Sequence, residues 1–164
     1  MKTILLAGLA ALTLGCTAAH ADGKIFVQLP DLSSYSGVEA EQFLTRVVMA
    51  NVVSSNCAGY DITEEDWSLL TDSADLLAYG QLKLSVDAYD DGYYKPAFDA
   101  VDQPGTCEEF GPDVEKVLTE LVGHGGGREP LPDQAKAYEE WRALMDRIEA
   151  EAKDASATKV KTKS

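Results

Sequence analysis

The chain has 164 residues, with 28 aspartates and glutamates against 14 lysines and arginines, a formal net charge of −14. The imbalance is regional: residues 22–152 carry 27 acidic and 9 basic side chains (−18), while residues 153–164 carry four lysines against Asp154 (+3). An acidic body argues against nucleic-acid binding, which needs a basic surface, and against adhesion to anionic lipid. What remains is colloidal solubility, or a surface for a basic protein partner or for cations.

Residues 1–21 read as a removable export signal. Lys2 supplies the positive start, Ile4 to Leu14 an apolar stretch broken only by Gly8 and Thr13, and Ala19-His20-Ala21 a small-x-small cleavage pattern. That stretch is too short to span a bilayer. Cleavage between Ala21 and Asp22 leaves 143 residues, enough for one domain with a core, in an oxidising periplasm or outside the cell. Leu12-Thr13-Leu14-Gly15-Cys16 opens an alternative, because it resembles a lipobox with Thr13 where leucine is usual. A lipid on Cys16 would tether the same domain to a membrane. Without it, no membrane contact is expected.

Two cysteines follow the signal, Cys57 and Cys107, and an even pair in an exported chain is most simply one disulfide. Closing a loop of about 50 residues restricts the unfolded chain by roughly 4 kcal/mol on the chain-entropy account. A redox role is disfavoured, since the spacing is not CxxC.

Residues 22–36 read as an extended arm around Ile25-Phe26-Val27 and Leu29-Pro30, packing across helices because no partner strand is visible. From Gly37 the period turns helical, with Ser36 and Glu39 as a capping box, Phe43, Val47, Ala50 and Cys57 on one stripe, and a stop near Gly59. Thr63 opens a second helix whose Glu64, Glu65 and Asp66 suit the helix dipole; Trp67, Leu70, Ala74 and Leu77 recur along it to Gly80. Ser85 caps a third helix to about Val101, which Pro96 should kink or split. Thr106 and Glu109 form a further capping box for a fourth, with Cys107, Phe110, Val114 and Leu121 inward, and Gly111-Pro112 able to delay its regular part. Residues 124–132 (Gly123 to Gly127 with His124 among them, then Pro130 and Pro132) read as a flexible hinge. Asp133 caps an appended fifth helix, residues 133–152, with Tyr138 and Trp141 on its apolar face; residues 153–164 read as a disordered basic tail. The expected fold is all-α: four core helices over residues 37–123 with one disulfide, the appended helix and the tail.

The chemistry is sparse. After cleavage His124 is the sole histidine, which excludes sites needing two imidazoles, and its glycine neighbours are poor supports for a Ser-His-Asp triad. Zinc and copper lack ligands, and neither a metal nor another cofactor is expected. Asp87, Asp90, Asp91 and Gly92 only faintly suggest a calcium loop, because the D-x-D-x-D-G order is not met. Paired carboxylates for glycoside chemistry exist in any acidic protein and carry no signal.

The run from Asn56-Cys57 through Tyr93-Tyr94-Lys95-Pro96-Ala97-Phe98 to Thr106-Cys107-Glu108-Glu109-Phe110 resembles small exported helical proteins of uncharacterised function in alphaproteobacteria, over about two thirds of the mature chain. The resemblance implies the helical fold and the bridge, and no activity. Thr106-Cys107-Glu108-Glu109-Phe110 is also similar to the helix-opening motif of periplasmic acid-stress chaperones, where the motif carries the first bridged cysteine; Cys107 is the second. The expected function is a non-catalytic periplasmic interaction or accessory protein, with Tyr138 and Trp141 as candidate contacts for a protein partner. An acid-stress holdase is the alternative, since protonating the carboxylates of residues 22–152 below about pH 3 would turn −18 into roughly +9. A carboxylate-based enzyme is the third reading.

Overall fold

Helix α1 (Gly37–Asn56) is the centre of the molecule, because two adjacent apolar stripes leave it little polar surface to show. Phe43, Leu44, Val47, Val48, Val52 and Val53 are all at most 1% exposed. This is a computed structural model that describes the backbone of residues 23–161 and the side chains of residues 23–152. The expected export signal, with Cys16 and the Ala21–Asp22 junction, and residues 162–164 lie outside the described residues. Among the described residues no helix is long and apolar enough to cross a membrane.

The described chain is all-helical apart from its arm and turns. Helix α2 (Glu64–Asp75) packs on α1 and continues into a wide-turn segment, π1 (Leu76–Gln81). Thr63 Oγ1 accepts from Asp66 N at 3.2 Å, the expected cap. The widened turn was not expected: Leu82 N donates to Leu77 O, five residues back, around Gly80, which a regular helix tolerates poorly. Leu70, Ala74 and Leu77 are buried as read from their spacing, whereas Trp67 is 38% exposed.

Ser85 caps α3 (Val86–Tyr89) by accepting from Ala88 N at 3.2 Å. The rod then runs through a second wide turn, π2 (Asp90–Tyr94), into α4 (Lys95–Val101). Pro96 therefore does not interrupt the run of helical turns. Its missing N–H and the crowding of its ring against the preceding turn are absorbed by the wide turn just before it, where Lys95 N donates to Asp90 O.

Helix α5 (Thr106–Phe110) is short, and α6 (Asp113–Gly123) resumes beyond Gly111-Pro112. Two of the expected capping boxes are absent. Ser36 makes no side-chain cap, and Thr106 Oγ1 donates instead to Ala100 O at 2.7 Å while Gly105, at φ +88°, takes the cap position. Cys57 lies just past the last turn of α1, in extended backbone, and is bonded to Cys107 with their Cα atoms 5.5 Å apart.

The glycine-proline segment is not a flexible break. Val27 of the arm forms an isolated antiparallel bridge with Pro130; Gly127 N donates to Gln28 O at 2.8 Å, and Leu131 N to Phe26 O at 2.9 Å. The Gln134 side chain closes the same seam, accepting from Phe26 N and donating to Phe26 O and Leu131 O. The arm thus packs across the helices as expected, and the partner missing from its strand-like segment is the segment read as a hinge. Helix α7 (Gln134–Lys161), capped by Asp133 Oδ1 on Lys136 N at 3.0 Å, runs past residue 152 and packs against π1, burying Ala137 and Ile148.

Two tests follow from this packing. Mature protein should hold no free thiol, and Cys57→Ala with Cys107→Ala should lower its urea-unfolding free energy by about 2–5 kcal/mol. Beside the bridge, the Tyr60 ring covers Gly111 so closely that a Cβ there would lie 2.1 Å from a ring carbon. Gly111→Ala should expel the ring and destabilise by about 1–3 kcal/mol in the same assay, whereas Gly92→Ala, with open space around its Cβ, should not.

Candidate functional site: the groove and buried carboxylates beside α7

Tyr138 and Trp141, expected to face a partner, are both half-buried against the protein's own arm. Their ring centroids lie 5.9 and 6.0 Å from that of Phe26. Arg142 stacks 5.7 Å from the Tyr138 ring on its outer side. Trp141 also points its Nε1 at Asp72 of α2, donating to Oδ1 at 3.1 Å. Lys24 of the arm ion-pairs with that same oxygen and lies 4.2 Å from the Trp141 ring. The arm, α2 and α7 therefore meet at one buried carboxylate.

Sequence reasoning missed Asp72, although a signal existed: Leu69, Asp72 and Leu76 share the three-four spacing of a buried helix face. Burial raises the Asp72 pKa above the ordinary carboxylate value, and Lys24 and the Trp141 N–H pull against it. One turn on, Asp75 is pushed up to about 7 by burial and then by the negative charge of Asp72, with Lys24 opposing.

Asp75 borders a groove of about 720 Å³ between α7 and the π1–α3 junction. Its walls are mainly apolar: Tyr79, Leu84 and Val86 on one side, Trp141, Met145 and Ile148 on the other. Val86 is 60% exposed there, an unusual position for a large aliphatic side chain on so acidic a chain. Tyr79 is held edge-on to the buried Tyr89, 5.4 Å between centroids, so the wide turn π1 orients one wall of the groove.

Elsewhere the polar groups are used for fastening. His124 is held firmly despite its glycine neighbours: its Nε2 lies 3.1 Å from Tyr35 Oη, and its carbonyl accepts from Asp31 N. Tyr35 in turn donates to Glu120, which Arg46 grips through both nitrogens at 2.6 and 2.9 Å. Arg46 and Tyr35 hold the Glu120 pKa low, while burial and Glu120 raise that of Tyr35, making it a poor nucleophile. Asp87, Asp90 and Asp91 are exposed on helical turns and form no calcium loop. Among the described residues no group of three or more His, Cys, Asp or Glu could hold a metal ion. No protein-family model, curated protein or solved structure matches the chain.

The Asp75 environment has a measurable signature. Its carboxyl binds its proton more tightly folded than unfolded, so its stabilising contribution is full below about pH 4 and is lost as pH rises through about 7. Asp75→Asn should therefore raise stability at pH 8, by on the order of 2–4 kcal/mol at about 1.4 kcal/mol per pKa unit, and have little effect near pH 4. Urea unfolding of both proteins at the two pH values reads the difference directly.

Proposed function

We propose that this chain is a non-catalytic accessory protein of an exported compartment, which engages a basic protein partner through the groove beside α7. The observation that supports this reading most is the groove itself: an apolar trough lined by exposed Val86 and half-buried Met145 on a body of strong negative charge. Apolar walls would supply the binding energy by releasing water from a partner's side chains. The strongly acidic body around the groove would favour a partner segment bearing lysine or arginine beside its apolar anchors. The disulfide and the tied arm suit such a role, because a rigid groove loses little conformational entropy when it is filled. Tyr138 then belongs to the support of the groove rather than to its surface, while Trp141 serves both.

A photo-crosslinking side chain placed at Val86 in the exported protein tests the reading, with Val38 as the control, since it is 65% exposed and does not line the groove. A basic partner should be captured from Val86 and not from Val38, and Met145→Lys should weaken its binding at least tenfold. Equal capture at both positions, or turnover of a substrate by the purified protein, would overturn the proposal.

A further inference from the structure

Asp72 is 1% exposed, yet only half of its carboxylate is engaged. Oδ1 takes both Lys24 Nζ and Trp141 Nε1, whereas Oδ2 accepts no hydrogen bond from any described residue. Buried carboxylate oxygens are normally supplied with donors, so an idle one calls for a physical explanation. Asp72 also lines a cleft of about 250 Å³ between the arm and α7. The cleft walls include Phe26, Leu29, Leu131, Leu144 and the Trp141 indole, so a carboxylate lies among apolar and aromatic surfaces.

Charge points the same way. Asp72 and Asp75 lie one helical turn apart, and the cation that acts on both is Lys24. With both carboxylates ionised, which for Asp75 requires a pH above about 7, the locus carries one unbalanced negative charge. Glu140, also at the cleft, is already paired with Lys136 at 3.0 Å. Lys24 itself displays the chemistry the locus favours: an ammonium on a flexible stem, 4.2 Å from the Trp141 ring and 5.3 Å from that of Phe26, bonded to Asp72.

We propose that this cleft binds a single protonated amine on a short apolar stem, with the Trp141 and Phe26 side as its apolar wall and Asp72 Oδ2, shielded from solvent in the empty cleft, as the hydrogen-bond acceptor that a small shift of the Asp72 side chain presents to it. The volume lies just below the usual range for ligand sites, roughly 300–1,000 Å³, and suits one alkylammonium or one lysine side chain rather than a larger metabolite. The site is distinct from the groove bordered by Tyr79 and Met145, and it stands or falls independently of a partner there.

The test uses mature protein carrying Trp67→Phe, which leaves Trp141 as the sole indole of the chain. Its Nε1–H, bonded to Asp72, is a direct reporter in proton–nitrogen NMR. n-Butylammonium should shift that signal saturably, and 1-butanol at least about tenfold more weakly, as expected when a charge-assisted hydrogen bond is lost. Nα-acetyl-lysine methylamide separates the sources: saturation no tighter than with n-butylammonium marks a site open to free alkylamines, and markedly tighter saturation marks one built for a partner's side chain. Asp72→Asn should abolish the preference for amine over alcohol. Because that variant removes the Lys24 pair and could unfold, Leu144→Phe provides a second arm, filling the cleft while keeping Asp72; it should abolish the shift. Equal shifts from amine and alcohol, a response that never saturates, or full binding by Leu144→Phe would overturn the proposal.

Discussion

A carboxylate taken out of water must be given counter-charges and donors, and in this protein the most enclosed one, Asp72, draws them from far along the chain. Lys24 comes from the arm and Trp141 from α7, 48 and 69 residues away. Neither the arm nor α7 forms the centre of the hydrophobic core, which is built around α1, α2, α4 and α6. Their docking is specified by this polar junction as much as by the apolar contacts of Phe26, Ala137 and Ile148. Non-polar burial alone would let α7 slide along π1. The Trp141 indole bond to Asp72, with the Gln134 bonds to Phe26 and Leu131, sets its register.

The same device recurs on the other side of the arm. Asp66, 4% exposed in the first turn of α2, is gripped by Arg128 through two bonds of 2.6 and 2.8 Å, and Arg128 reaches on to Glu115 of α6. The planar guanidinium suits this fork, which a lysine could not reproduce. It holds the glycine-proline segment at the point where Gly126 presses against the Leu121 carbonyl too closely for a side chain and Gly127 lies tight against Gln28. The glycines here serve close approach rather than mobility, which is why a composition typical of a hinge gives an ordered seam.

That contrast shows what could be read from residue order and what could not. Helix positions, the caps at Thr63, Ser85 and Asp133, and the Cys57–Cys107 pairing follow from local spacing and from having only two cysteines beyond residue 21. The wide turns π1 and π2 do not, because they answer tertiary demands: Tyr79 must reach Tyr89, and Pro96 must be accommodated without breaking a rod packed on α1. The capping boxes at Ser36 and Thr106 matched their patterns, but in the fold the Thr106 hydroxyl finds Ala100 O instead. The candidate site was legible only in part. Trp141 stood out as an aromatic on a helix face, whereas Lys24, Asp72 and Asp75 resembled dozens of other charges, and only their convergence distinguishes them.

Convergence also gives the molecule an uneven response to acid. Glu120 titrates low because Arg46 and Tyr35 stabilise its anion, so its contribution to the α1–α6 contact is present near neutrality and fades as pH falls through that lowered value. Both partners are substantially exposed, with side-chain accessibilities of 31% and 50%, so solvent screening keeps this contribution small. Asp75 responds with the opposite sign, since its protonation relieves the cost of holding a charge away from water and then the repulsion with Asp72, and strengthens the region that carries the groove. Mild acid therefore consolidates the junction of α2 with α7, whereas the Tyr35–His124 face relaxes only in stronger acid, below the ordinary carboxylate range. An opening that exposed the groove region would have to overcome a contact that protonation had made firmer, so the charge on residue 75 favours a groove that persists across the mildly acidic range.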